Sequence, residues 1–266
     1  GNGSSNKMKI AVFIKQVPAE GSLRTTAENT LVRDGIVTII NPADLTAVEE
    51  ALQIKDRTGA SITAISMGPL SAESILRQTA AMGVDQIYLI SDRLLAGSDT
   101  YATAKVLSSA VRCLGGFDLL LCGRRSIDGE TGQVGPELAA LLDIPCVTNC
   151  TAIHLEEKMV TCRRMVETEY QEWRMPMPAL LTVYFGINAP RLSSIAGLRR
   201  AKTLAMERLT TVDLGLLPAD CGLTGSPTRV QRITIRPFEK RQAVRAVGVE
   251  GVDPVLAMIA EAKIGG

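Results

Sequence analysis

"FDLLLCG", Phe117–Gly123, runs almost at once into "DGETGQVGP", Asp128–Pro136, and the joint between them decides the fold. The first reads as a short buried strand. The second packs three glycines among polar side chains and ends with Pro136 in the first turn of a helix, a strand–turn–helix order. The same unit recurs upstream. "KIAVFIK" is a strand, and "NPADLTAVEEALQIKDRTG" is a helix with Asn41 as N-cap, Pro42 at the first helical position and Gly59 as its stop. "ASITAISM" is the next strand, with a helix from Ser71 to Met82 stopped by Gly83. "QIYLIS" follows, with a helix from about Ser98 to Leu114, and the helix after Gly123 begins near Gln133. Alternation with near-continuous apolar strands implies an α/β fold, a Rossmann-like parallel sheet covered by helices on both faces. Ligands of such sheets bind at the carboxyl ends of the strands.

After Pro145 the pattern changes. "VTNCTAIHLEEKMVTCRRMVETEYQEWRMPMPALLTVY" lacks helical periodicity and breaks into β-prone pieces at "EEK" and at two prolines, which predicts antiparallel strands added to the sheet. "SSIAGLRRAKTLAMERL" reads as a cationic helix. From about Val212 the chain is rich in Gly, Pro and turn residues until a last helix, "DPVLAMIAEAKI". The organisation read from this is an α/β nucleotide-binding domain over residues 8–210 and an extended C-terminal arm over residues 211–266 that reaches onto a partner's surface. "GNGSSNK" before Met8 looks like a cloning remnant and is left out of the fold.

Composition narrows the chemistry. Lys+Arg 29 against Asp+Glu 28 leaves a net charge of +1, so no global field draws in nucleic acid. The longest apolar stretch falls short of the roughly 20 residues that span a bilayer, and the start does not resemble a signal peptide, so no membrane insertion and a cytoplasmic location are expected. The six cysteines form no CxxC pair and read as reduced structural thiols. His154 is the only histidine, which argues against a His-based metal cluster or a Ser/His/Asp triad.

The turn itself points to phosphate. Amides of Thr131, Gly132, Gln133 and Val134 crowd a helix N-terminus, where unpaired N–H groups and the helix dipole favour an anion; Thr131 and Gln133 can add side-chain hydrogen bonds. A capped turn with no ligand is the plain alternative. The first strand–helix joint, "KQVPAEGSL", lacks G-x-G-x-x-G, and no G-x-x-x-x-G-K-[ST] occurs, so a standard dinucleotide fold and a P-loop both fail.

Five motifs in order, "NPADLTAVEEAL" (41–52), "SMGP" (66–69), "AMGVD" (81–85), "GRRSIDGETGQVGPELAALLDIP" (123–145) and "INAPRLSSIAGLRRAK" (187–202), resemble the β subunit of electron transfer flavoproteins over residues 8–240. The resemblance implies an adenine nucleotide α-hydrolase-like sheet, a heterodimer with an α subunit carrying redox-active FAD, and an AMP or, in the electron-bifurcating type, a second FAD in this chain. It places the adenosine against Phe13, Lys15, Asn41, Pro42, Ala43, Asp44, Met67 and Gly68, and the phosphates against Gly123, Ser126, Asp128, Thr131, Gly132, Gln133 and Val134. Met67 stands where many relatives have cysteine. Asn41 also reads as a plain helix cap, and Lys15 as the end of a strand.

"CRRMVETEYQ" matches the bifurcating pattern V-x-R-x-x-E-x-x-x-[EQ] through Arg164, Glu167 and Gln171, with Cys162 in place of the leading valine. On a plain strand Arg164 and Glu167 would point to opposite faces; a bulge or turn is needed to unite them. Solvated charges on an edge strand are the alternative. Segment 187–202 resembles the family's docking loop for flavoprotein dehydrogenases, with Ile195 as apolar plug and Arg191, Arg199, Arg200 and Lys202 at its rim. A helix face packed in its own domain is the rival. The resemblance thus implies an electron carrier rather than an enzyme on its own, with NADH and a ferredoxin or flavodoxin as further partners of the bifurcating type. A non-bifurcating subunit with structural AMP, a universal-stress-like nucleotide-binding protein and an AMP-hydrolysing enzyme using Asp128 and Glu130 remain open at this point.

Overall fold

The computed structural model describes residues 7–19, 24–25, 31–32, 37–231, 252–253 and 256–257. The chain divides into two compact units, Gly1–Val230 and Gln231–Gly266. Within the described residues of the first unit, the elements in order are β1 (Lys9–Phe13), β2 (Gln16–Pro18), β3 (Arg24–Thr25), β4 (Leu31–Val32), β5 (Thr38–Ile40), α1 (Pro42–Thr58), β6 (Ser61–Met67), α2 (Glu73–Met82), β7 (Gln86–Ile90), α3 (Thr100–Cys113), β8 (Leu119–Gly123), α4 (Val134–Leu142), β9 (Cys146–Glu156), β10 (Met159–Val166), β11 (Glu169–Pro176), β12 (Ala179–Val183), α5 (Ile195–Thr203), β13 (Met206–Leu209) and α6 (Gly222–Gly225).

The main sheet has nine strands in the order β11-β10-β9-β12-β8-β1-β6-β7-β13. Successive strand residues face opposite sides, and the two cores follow that alternation. Ile10, Val12, Leu119 and Leu121 pack in one apolar cluster with α1 and α2; Ala11, Phe13, Leu120 and Cys122 pack in the other with α3 and α4. Helices on both faces make this the mostly parallel, Rossmann-like sheet that the alternation predicts.

Two elements differ from the sequence reading. Ala179–Val183 is not antiparallel: β12 pairs in parallel with both β8 and β9, extending the parallel sheet before the antiparallel strands begin. The cationic helix ends at Thr203, and Met206–Leu209 forms β13, parallel to β7 at the opposite edge. Its helix-prone composition yields there to an open row of hydrogen-bonding groups on β7.

Residues 211–230, read from the sequence as part of the arm, lie in the first unit. Asp99, whose side chain caps α3, accepts the Thr228 N–H at 2.9 Å, and Lys105 pairs with Asp220. Cys221 and Leu214 are buried against the α3 side of the sheet. Of the last predicted helix, Asp253 and residues 256–257 are helical and the rest lies outside the described residues. All six cysteines are free, and Cys113, placed by its sequence in an apolar segment, is exposed at the end of α3. Among the described residues no helix is long and apolar enough to cross a membrane.

Candidate functional site

The carboxyl ends of β1, β8 and β12 meet the turn 124–133, and side chains from other parts of the chain pin that turn. Asn41 is fully buried at the start of α1, yet its side chain makes no helix-cap bond. Its Nδ2 donates to the Arg125 carbonyl at 3.0 Å and its Oδ1 accepts the Ile127 N–H at 3.1 Å, so it clamps the turn. Asp44, one helical turn along the same face, accepts the Lys15 N–H at 2.8 Å and the Gly123 N–H at 3.1 Å, tying the ends of β1 and β8 together. Burial pushes its carboxyl up from 3.8 to about 7, against the lowering effect of those bonds. Gly123 must be glycine for this approach: a Cβ there would overlap Asp44 Oδ1 and stand 2.6 Å from the Ala43 carbonyl carbon.

Lys15 Nζ reaches Asp128 at 2.7 Å, across 113 residues of chain. Partial burial raises the Asp128 carboxyl, but the bonds from Lys15 and Ser126 outweigh it and hold the group below its ordinary value. Ser126 accepts the Glu130 N–H through its carbonyl, and Gly132 takes φ +65°, the left-handed conformation that glycine adopts at least cost. Beyond it, the amides of Thr131, Gly132 and Val134 have no partner among the described residues and stand at the N-terminus of α4. The Gln133 side chain is engaged with Thr100 Oγ1 at 3.2 Å, on the first turn of α3.

The other sequence-derived residues fall into distinct places. Phe13 and Ala43 are buried core side chains and neither lines the cavity described below. Pro42 begins α1. Met67 ends β6 against the α3-side core, and Gly68 spends its N–H on the Ile90 carbonyl. A cavity of about 470 Å³ opens beside the turn. Arg124, Thr131 and Gly132 line one side; Asn149, Arg164 and Glu167 line the other. A register shift between Arg163 and Arg164 and a positive φ of 53° at Glu167, in the β10–β11 turn, bring both motif residues to one cavity. Gln171 pairs across from Arg164 but lies outside the cavity lining, its Oε1 accepting from Trp173 Nε1 at 3.3 Å. Arg124, Arg125, Thr148, Asn149 and Thr182 also line the cavity and escaped the sequence reading. Only the adjacent arginines of "GRRS" carried a signal that could have found them.

This wall is chemically unfinished. Arg164 Nε and Asn149 Oδ1 are buried without a hydrogen-bond partner, as is Glu137 Oε2 on α4. Unpaired amides at a helix N-terminus, with a cation across a cavity, fit an anionic nucleotide that continues past its phosphates.

A family model described as "Electron transfer flavoprotein domain" matches residues 28–214. The chain belongs to the electron transfer flavoprotein family, on the β-subunit side. Among its relatives, an "Electron transfer flavoprotein subunit beta" of Thermoanaerobacterium thermosaccharolyticum is 44% identical over 84% of this chain and 86% of the relative. The "Caffeyl-CoA reductase-Etf complex subunit CarD" of Acetobacterium woodii is 39% identical over 85% and 87% of the two chains. The "Acryloyl-CoA reductase electron transfer subunit gamma" of Anaerotignum propionicum is 38% identical over 92% and 94%. Membership in the electron transfer flavoprotein family sets aside the universal-stress alternative.

Within a member of this family, segment 187–202 presents two chemistries. Arg191 turns inward: its Nε bonds Glu49 at 2.9 Å and its guanidinium reaches Asp56 at 2.7 Å. The Glu49 hydrogen bond, then Asp56, raises its pKa above the ordinary arginine value. Arg200 caps the carbonyls of Ala80 and Val84. Ile195, 73% exposed, and Leu192, 95% exposed, face solvent with Leu198 and Arg199. Two of the four arginine and isoleucine positions singled out in this segment therefore anchor it, and two are presented outward.

Proposed function

We propose that this chain is the β subunit of a heterodimeric electron transfer flavoprotein of the bifurcating type, holding FAD with its phosphates on turn 131–134 and its ring beside Arg164. The observation that carries the reading is the continuity of one cavity from the phosphate turn to the β9–β10 wall. AMP ends at its phosphate and would leave that wall, with its buried unpaired donor and acceptor, without a ligand.

Each group of residues has a task in this reading. Asn41, Asp44 and Lys15 hold the turn in its binding shape before the ligand arrives, which reduces the ordering that binding must impose. The free amides take the phosphate charge. Arg164 places a cation where a redox ring gains negative charge, favouring the reduced form. When bound, FAD would supply the redox chemistry, with NADH as electron source and a ferredoxin- or flavodoxin-like carrier and the flavin of an α subunit as acceptors. Leu192, Ile195 and Leu198 offer an apolar plug to a flavoprotein dehydrogenase, with Arg199 and Lys202 at its rim. The relatives named for caffeyl-CoA and acryloyl-CoA reductases support an acyl-CoA-type dehydrogenase as that partner.

The test is to coexpress the chain with its α subunit, purify the one-to-one complex and count released nucleotides. Two FAD and no AMP per heterodimer are expected, falling to one FAD in Arg164→Ala. One FAD and one AMP would replace this reading with the structural-AMP subunit.

A further inference from the structure

We propose that Asn149 is a ligand-contacting, specificity-determining residue: its Oδ1 accepts the ring imide N–H of the bound flavin while Arg164 donates to the neighbouring ring carbonyl. The inference rests on the reading that FAD occupies this cavity and deepens it.

Asn149 sits in a local irregularity of the sheet. β12 pairs Leu181 with Val147 and then Val183 with Cys150, so Thr148 and Asn149 together stand opposite Thr182 alone. Bulges of this kind re-aim side chains beside functional sites. The backbone at Asn149 has φ +65°, a conformation asparagine tolerates better than most residues. Its N–H is held by Thr182 Oγ1 at 3.0 Å, and its Nδ2 donates to the Met165 carbonyl at 2.6 Å. That second bond settles which way the amide lies, because the flipped side chain would set two acceptors against each other. Oδ1 is therefore the atom left over, and it is buried without a partner.

One residue before Met165, Arg164 Nε is buried without a partner too. Both residues line the cavity that begins at the phosphate turn. A neutral acceptor and a cationic donor, both unpaired and both on residues lining one cavity, are complementary to an edge carrying N–H next to C=O. The pyrimidine edge of an isoalloxazine has that pattern; adenine carries no carbonyl. Leaving such atoms unpaired is costly, so a ligand that satisfies both is selected over one that does not.

The test is a cycle between one protein change and one ligand change. The heterodimer, stripped of nucleotide, is titrated with FAD and with FAD methylated at the ring imide nitrogen; the binding phase of this chain is the one that Gly132→Glu abolishes. Wild type is expected to bind the methylated compound roughly ten- to a hundredfold more weakly. Asn149→Gly, which keeps the positive φ, is expected to bind FAD about as weakly as wild type binds the analogue, and to discriminate little between the two. Equal affinity of wild type for both compounds overturns the inference without any variant, as does undiminished discrimination in Asn149→Gly. Absence of any FAD phase from this chain, with AMP bound instead, defeats the underlying FAD reading and the inference with it.

Discussion

The two walls of the cavity are built to opposite specifications. On the side of the turn, Asn41 makes two hydrogen bonds to it, Asp44 accepts two N–H groups, and Lys15 answers Asp128. On the β9–β10 side, Asn149 and Arg164 each retain a buried polar atom with nothing to bond. Both walls contain a buried asparagine amide, yet one completes the protein and the other waits for something else. Preorganised backbone suits a ligand group that every nucleotide shares; an unfinished wall suits the part that tells one nucleotide from another.

That contrast predicts unequal sensitivity to substitution. Gly123→Ala attacks the satisfied wall where it is tightest and should show the largest effect, a stability loss of about 3 kcal/mol in denaturant unfolding together with loss of bound nucleotide. A near-wild-type midpoint would mean that the approach of β8 to α1 is looser than the contact with Asp44 implies.

The next effect is on pH dependence. The Asp44 pKa is raised from 3.8 to about 7 in the fold, so between those values the folded protein binds more protons than the unfolded chain. Stability should then fall as pH rises from about 4 to about 7 and level off above. The fall should amount to a few kcal/mol, because each tenfold difference in proton affinity between the folded and unfolded chain is worth about 1.4 kcal/mol. Asp44→Asn should flatten that slope, and an unchanged slope would locate the titration elsewhere. The smallest effect belongs to the unfinished wall. Arg164→Met removes a buried unpaired donor while keeping much of the side-chain length, so the unligated chain should change by no more than about 0.5 kcal/mol. A loss of about 2 kcal/mol there, more than one net hydrogen bond is worth, would erase the difference between the walls.

Much of the fold around the candidate site was legible in the linear sequence because it depends on local patterns. Alternating apolar strands, Pro42 and Gly59 around α1, and the glycine turn ahead of Pro136 each state their structure within a short stretch of chain. Arg164 and Glu167 were singled out by resemblance to a family pattern, but their place in one cavity depends on a register shift and a left-handed turn residue. Arg191 reads as a rim charge until Glu49 and Asp56 of α1 are seen beneath it. β13 was hidden in helix-prone residues because its strand character comes from the open edge of β7.

The sequence by itself determined the α/β order of elements, the two-faced apolar core and a glycine-rich turn at a helix N-terminus, all consequences of periodicity and of what glycine and proline permit. Only the tertiary structure decided what surrounds that turn: which side chains spend their hydrogen bonds holding it, and which keep a donor or acceptor in reserve. Hydrogen-bond satisfaction is a property of neighbours, and Lys15 and Asp128, 113 positions apart, become neighbours only when the sheet closes.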